Sequence, residues 1–238
     1  MRVGVIQSSF IPWRGYFDFI ASVDCFVFLD DIQYSKNSWR NRNKIKVYNG
    51  LQWLTVPIRH ERLDQLIDET WIDNSRAWTE KHFGSWKANY SKAPYFRDIT
   101  ELLSCLDCRQ DQTISQLNIK LIRQICEYLN ISTPMLLSRE LSLIGSKTDR
   151  LIDLLKKLDA TTYLSGPSAD SYLDKQAFRE HGIRLEYKSY EYLEYPQLWG
   201  DFEGAVTVLD LIANCGPDAK NYIQSQTPNK VVVEFGLS

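Results

Sequence analysis

Histidine is scarce in this chain: His60, His82 and His181 are the three in 238 residues. None stands near a Ser or Cys and an Asp in a nucleophilic arrangement. No G-x-S-x-G, H-E-x-x-H or G-x-x-x-x-G-K-[ST] occurs, so hydrolase triads and P-loops are unsupported. Long hydrophobic runs are missing too. No apolar stretch approaches the roughly 20 residues that span a bilayer, which predicts no membrane insertion. The opening "MRVGVIQSSF" has no long apolar run after its Arg and does not read as a signal peptide. Charge of one sign is also missing. With 28 Lys+Arg against 30 Asp+Glu, the net charge of −2 gives no global field toward nucleic acid or an anionic membrane. The five cysteines are odd in number and scattered, which predicts reduced thiols and a cytoplasmic location. Cys105 and Cys108 form a lone C-x-x-C in a helical neighbourhood, a weak signal for zinc or redox work.

What is present is an ordinary globular composition, 44% apolar and 24% charged. Aromatics reach 13%, with seven Trp and thirteen Tyr, which suits flat ligands such as sugars or bases and equally suits a rich core. "RVGVIQ" and the fully apolar "CFVFLD" read as strands, and "GYFDFIASV" between them as a helix, giving a β-α-β unit. "LQWLTVPI" is a further strand and "ETWID" a weaker one. Asn74 or Ser75 is expected to cap a helix over "RAWTEKHFGSWKANY", with a break near Gly84. Residues 111–129 show the clearest helical spacing, through Ile114, Leu117, Leu121, Ile125 and Leu129. Strand and helix then alternate: "PMLLS", "SKTDRLIDLLKKL", "TTYLS", "DKQAFREHG", "IRLEYKSY", and a last apolar helix over "AVTVLDLIANCG" stopped by Gly216-Pro217. The pattern predicts one α/β domain over 1–238 with a mostly parallel sheet of Rossmann-like or nucleotidyltransferase-like type. A mainly helical insertion is expected at about 75–130.

Four constellations carry chemistry. Asp30 and Asp31 close the second strand, at the carboxyl edge where open parallel sheets hold their ligands. Behind them, an extended 39–46 would place Arg40, Arg42, Lys44 and Lys46 on one face and Trp39, Asn41, Asn43 and Ile45 on the other. Such a cationic face could clamp a diphosphate, or could be a solvated edge strand. In "IQSSFIPWRGYFDFI", Pro12 and Gly15 bracket a turn whose helix-start N–H groups could meet an anion. The last helix sets Thr207, Asp210 and Asn214 in a polar stripe at i, i+3 and i+7. A buried Asp there needs partners or a raised pKa: either Asp210 caps a neighbouring loop, or the stripe lines the site and Asp210 is a catalytic candidate. "YLSGPSADSYL" leaves a strand through Gly166 into a small-residue turn that could hold phosphate, though a plain tight turn fits it as well.

The first loop faintly resembles that of nucleotidyltransferase-like enzymes, but Trp13-Arg14-Gly15-Tyr16 stands where those carry H-x-G-H. A fuller resemblance covers nearly the whole chain. "IQSSFIPWRGYFDFI", "VFLDDIQYSKNSWRNRNKI", "WLTVPI", "YSKAPYF", "TYLSGPSADSYL" and "YPQLWGDFEGAVTVLDLIANCG", in this order, are similar to the WbqC-like family. The resemblance implies a role in bacterial surface polysaccharide (O-antigen or capsule) and transfer of glycine or another acyl group to an amino sugar. The matching positions are Gln7, Pro12, Gly15, Tyr16, Asp30, Asp31, Arg42, Asn43, Gly166, Asp210 and Asn214. Two departures stand out. Ser8, not Pro, follows Gln7, and Phe202-Glu203-Gly204 replaces a Phe-Glu-His, so a base supplied by that His is absent here or replaced by a carboxylate.

Together these readings predict a cytoplasmic acyl- or aminoacyltransferase acting on a nucleotide-linked amino sugar. Arg40, Arg42 and Lys44 would neutralise the diphosphate, Trp39 or Trp53 would stack on a ring, and Asp30 or Asp31 would take the ammonium proton. The donor could be CoA, a carrier-protein thioester or an ATP-activated acid, and no cofactor can be named. A binding protein without catalysis and a metal-dependent glycosyltransferase, with Asp30 and Asp31 on the cation, are the alternatives.

Overall fold

The computed structural model describes residues 1–59, 61–107 and 112–234. His60 and Cys108 lie outside them, and the expectation for the C-x-x-C goes with Cys108. The strands are β1 (Arg2–Ile6), β2 (Cys25–Phe28), β3 (Arg42–Val47), β4 (Gly50–Thr55), β5 (Met135–Leu137), β6 (Thr162–Ser165), β7 (Arg184–Tyr187) and β8 (Lys230–Val233). The helices are α1 (Arg14–Ala21), α2 (Trp78–Tyr90), α3 (Phe96–Leu103), α4 (Ile114–Tyr128), α5 (Lys147–Lys157), α6 (Lys175–Glu180) and α7 (Val208–Cys215).

Six strands form one sheet in the order β5-β2-β1-β6-β7-β8, parallel except for β8 at the edge. Period two sorts its side chains between two apolar clusters. Phe26, Phe28 and Leu164 join α1, α2, α3, α4 and α7 on one face. Val3, Val5, Val27, Tyr163 and Leu185 join α5 and α6 on the other. Gly4 lets α1 approach closely, since a Cβ there would lie 2.4 Å from the Phe19 ring. The protein is therefore α/β with a largely parallel sheet, as the alternation of elements predicts.

Local chemistry moves several boundaries. α2 runs unbroken through Gly84 and starts after Ala77. Neither Asn74 nor Ser75 caps it, because Ser75 turns its N–H and hydroxyl to the Asp73 carboxylate at 3.1 and 2.6 Å. Within "ETWID", Trp71 and Ile72 form only isolated bridges, with Thr113 and Ile58. α4 starts in a reciprocal capping box of Thr113 and Gln116. α7 begins at Val208, since Thr207 serves as its N-cap and accepts from the Leu209 N–H at 3.3 Å. Among the described residues, β3 and β4 pair only with each other, as a ribbon apart from the main sheet.

Candidate functional site

The chain passes from β1 to β2 on one side, while β6 lies on the other. Connections leaving the carboxyl ends of β1 and β6 therefore diverge, which opens a crevice in a sheet of this order. A cavity of about 1280 Å³ lies there, walled by the loop after β1, residues 39–43, the turn into α5 and the turn after β6.

The loop after β1 is fixed from behind by buried polar groups. Asp30 accepts from the Ser8 N–H at 2.8 Å and from the Ser115 hydroxyl at 2.5 Å. Asn118 donates to Ser8 Oγ at 3.3 Å and to the Arg40 carbonyl at 2.8 Å. Asn43 donates to the carbonyls of Phe10 and Ile11 at 3.1 and 2.7 Å, holding Ile11 at φ 41°, a left-handed conformation that β-branched residues resist.

On this frame stands the polar end of the cavity. Arg40 donates through Nη1 to Gln7 Oε1 at 3.1 Å, and its buried Nε has no hydrogen-bond partner among the described residues. Burial lowers the guanidinium pKa, with Tyr16, Asp30 and Tyr34 opposing. Tyr16 donates to the Gln7 carbonyl at 3.0 Å; burial, then Asp30, raises its pKa well above the usual phenol value, so it is a neutral donor. Trp13 shields the start of α1: its ring lies where a Gly15 Cβ would be, 2.4 Å away, and meets the Tyr190 ring at 5.2 Å between centroids.

Gln7, Pro12, Tyr16, Trp39, Arg40, Asn43 and Gly166 all line the cavity, so the structure gathers seven of the sequence-predicted residues, with Gly15 just behind Trp13. The remaining ones are elsewhere. Asp30 is fully hydrogen-bonded behind the wall, and burial raises its pKa above the usual carboxylate value against those bonds and Arg40. Asp31 accepts from Ser138 Oγ and pairs with Arg150 Nη2, each at 2.5 Å; it is Arg150 that reaches the cavity.

The cationic face expected for 40–46 is divided. Arg40 turns inward. Arg42 and Lys44 lie over the Trp53 ring at 4.3 and 5.0 Å, and Trp53 packs on Trp39 at 5.3 Å, on the outer side of the ribbon. Lys46 is buried, with its Nζ on Gln197 Oε1 at 2.8 Å and on the Asp201 carbonyl. Lys46 is buried beside Ile45 because Gln197 and Asp201 cover that end of the ribbon and supply its acceptors. The polar stripe of α7 is equally occupied. Asp210 accepts from Tyr90, Tyr195 and Gln197 at 2.6, 2.9 and 2.7 Å, and burial raises its pKa. Asn214 accepts from the Leu198 N–H at 3.2 Å, so the stripe anchors residues 195–198 instead of facing the cavity.

Lys147, Thr148, Arg150 and Tyr190 line the cavity without having been singled out in the sequence. Their signal was positional: "SKTDR" follows β5 as "SGPS" follows β6, both at the carboxyl edge. The wall thus carries Arg40, Lys147 and Arg150, and no Asp, Glu or His among the described residues. Such an arrangement accepts anions. Among the described residues, no group of three or more His, Cys, Asp or Glu could hold a metal ion, and no helix is long and apolar enough to cross a membrane.

Fold and cavity define an α/β protein with a ligand-sized site at the reversal of strand order. This chain belongs to the WbqC-like protein family, whose profile matches residues 7–222. It is 46% identical over 226 residues to the uncharacterized protein Rv1507c of Mycobacterium tuberculosis (strain ATCC 25618 / H37Rv), covering 94% of this chain and 97% of that one. No solved structure matches the chain.

Proposed function

We propose that this protein binds a nucleotide-linked amino sugar in the switch-point cavity and transfers an acyl or aminoacyl group to the sugar amine in bacterial surface polysaccharide synthesis. One observation carries the reading: the cavity wall holds Arg40, Lys147 and Arg150 and no described carboxylate. A diphosphate is favoured in that field. Family membership supports the pathway.

The same field bears on the amine. Arg40 and Lys147 disfavour an ammonium placed beside them, which favours the free base that attacks a carbonyl, while Arg150 is already paired with Asp31. Asp30 and Asp31 are then positioning residues, one fixing the loop under Arg40, the other orienting Arg150. Trp39 at the cavity wall and Trp53 beside it offer a ring to stack on, with Arg42 and Lys44 outside. The donor is a thioester of CoA or of a carrier protein, and the setting is the cytoplasm. A non-catalytic nucleotide-sugar binding role is the second reading, favoured by the lack of any described His, Asp or Glu in the wall.

The test is a thermal-shift series with nucleotide-linked amino sugars, ATP and CoA, with and without Mg²⁺ or Mn²⁺. Ligand at a hundred times its Kd stabilises by about 2.7 kcal/mol, or roughly 5–10 °C for a chain of this size. The expected result is such a shift with an amino-sugar nucleotide, lost in Arg40→Met and largely kept in Arg42→Met. No shift with any nucleotide sugar would refute the proposal. A shift that requires the metal would point to the glycosyltransferase alternative.

A further inference from the structure

The cavity has two chemically different ends. The Arg40 end lies on the α1 side of the sheet. The other reaches onto the opposite face, where Leu143, Leu151, Leu154, Tyr163 and Leu173 line it. Leu143, Leu151 and Leu173 are only half-buried although they stand in a concave wall. Apolar side chains left partly bare inside a cavity are surface that a ligand can cover.

Three observations identify that ligand. First, about 1280 Å³ exceeds the ~300–1,000 Å³ usual for one small-molecule ligand, so there is room for a second substrate beside the sugar nucleotide. Second, the lining from Leu143 to Leu173 includes no described Asn, Gln, Asp or Glu; its polar groups are Lys147 and Arg150, already assigned to the phosphates, and hydroxyls such as those of Ser146, Ser165 and Ser168. A base edge would find no described amide or carboxylate there. Third, a glycyl donor carries an ammonium group of its own, and nothing in the described wall would pair with it.

We infer that the end beneath α5 is the pocket for the hydrocarbon chain of an acyl donor, so that the transferred group is a plain acyl chain and not glycyl. The inference rests on the transferase reading above. In the transfer it implies, the sugar amine attacks the thioester carbonyl. The C–N bond forms as the C–S bond breaks, and the thiol leaves with the proton that the nitrogen gives up.

The test is calorimetric titration of the full chain with N-acetylcysteamine thioesters from acetyl to octanoyl, together with the glycyl thioester. Burying each added methylene should tighten binding about three- to fourfold until the pocket is filled. The glycyl thioester should bind no better than the acetyl one. Leu151→Trp and Leu173→Trp, each checked for cooperative melting, should flatten the dependence on chain length. Affinity independent of chain length in the wild type, an unchanged dependence in both Trp variants, or preferred binding of the glycyl thioester would each overturn the inference. The nucleotide-sugar shift is measured separately, so its failure would refute the parent reading, whereas its success with a flat chain-length series would refute only this one.

Discussion

His82 should make the protein acid-sensitive before any carboxylate does. The ring is buried between Phe10 and Trp78, with centroids at 5.7 and 5.1 Å, and Nε2 lies 3.1 Å from the Thr55 carbonyl. A carbonyl only accepts, so Nε2 carries the proton. Nδ1 is buried with no partner among the described residues, and protonating it would bury an N–H with nothing to receive it. Burial accordingly lowers the pKa from 6.5 to about 4, against the raising effect of the Thr55 bond. Since the folded value is the lower one, the unfolded chain binds the extra proton between the two values, and stability falls as pH drops below 6.5. Linkage gives a loss of about 1 kcal/mol between pH 7 and 5.5, and about 2 kcal/mol by pH 4.5. Asp30 and Asp210, whose folded pKa values are raised, act in the opposite direction on acidification. The comparison is therefore with His82→Gln, in which their contribution is unchanged. Urea titrations of both proteins from pH 4.5 to 7.5 should show the stability gap between them narrowing on acidification by that amount. Parallel pH profiles would refute the reasoning.

Two further perturbations follow from the same frame. Lys188 and Asp18 form an ion pair at 2.6 Å with each side chain only 4% exposed, so Lys188→Met strands a buried carboxylate and should cost about 3–5 kcal/mol in urea unfolding. Asp18→Leu together with Lys188→Met should recover much of that loss, and no recovery would mean that packing dominates. Gly15→Ala forces the Trp13 ring out of its place over α1; the nucleotide-sugar thermal shift should shrink while far-UV circular dichroism keeps its helical signal.

The α/β alternation was legible because β1, β2 and β6 are short apolar runs separated by helix-length periodic segments. β8 was missed: "KVVVEF" has the β-branched composition of a strand, but after a long irregular stretch nothing in its pattern named β7 as its neighbour. The site was half legible. Gln7 and Gly166 follow β1 and β6, strand ends that a parallel sheet converts into one edge, whereas Tyr16 lies in α1 and Arg40 just before the ribbon. Lys147 and Arg150 come from a connection more than a hundred residues away from Gln7, and only the strand order brings them together. Asp30 and Asp31 drew the eye as a pair, yet adjacent residues leaving a strand face opposite ways. Each therefore meets a different serine, Ser115 or Ser138.

Arg14 and Asp18, both on α1, are completed almost entirely by the far end of the chain. Arg14 donates to the carbonyls of Leu193 and Tyr222 at 2.6 and 3.2 Å, and Asp18 takes Lys188, Tyr192 and the Ser225 N–H. On a ribosome, α1 emerges early, but its two buried charges stay unsatisfied until some two hundred further residues have been translated. The first helix of the sequence is thus among the last to reach its final packing. Nascent chains stalled before Ser225 should remain open to chaperones and proteases at α1.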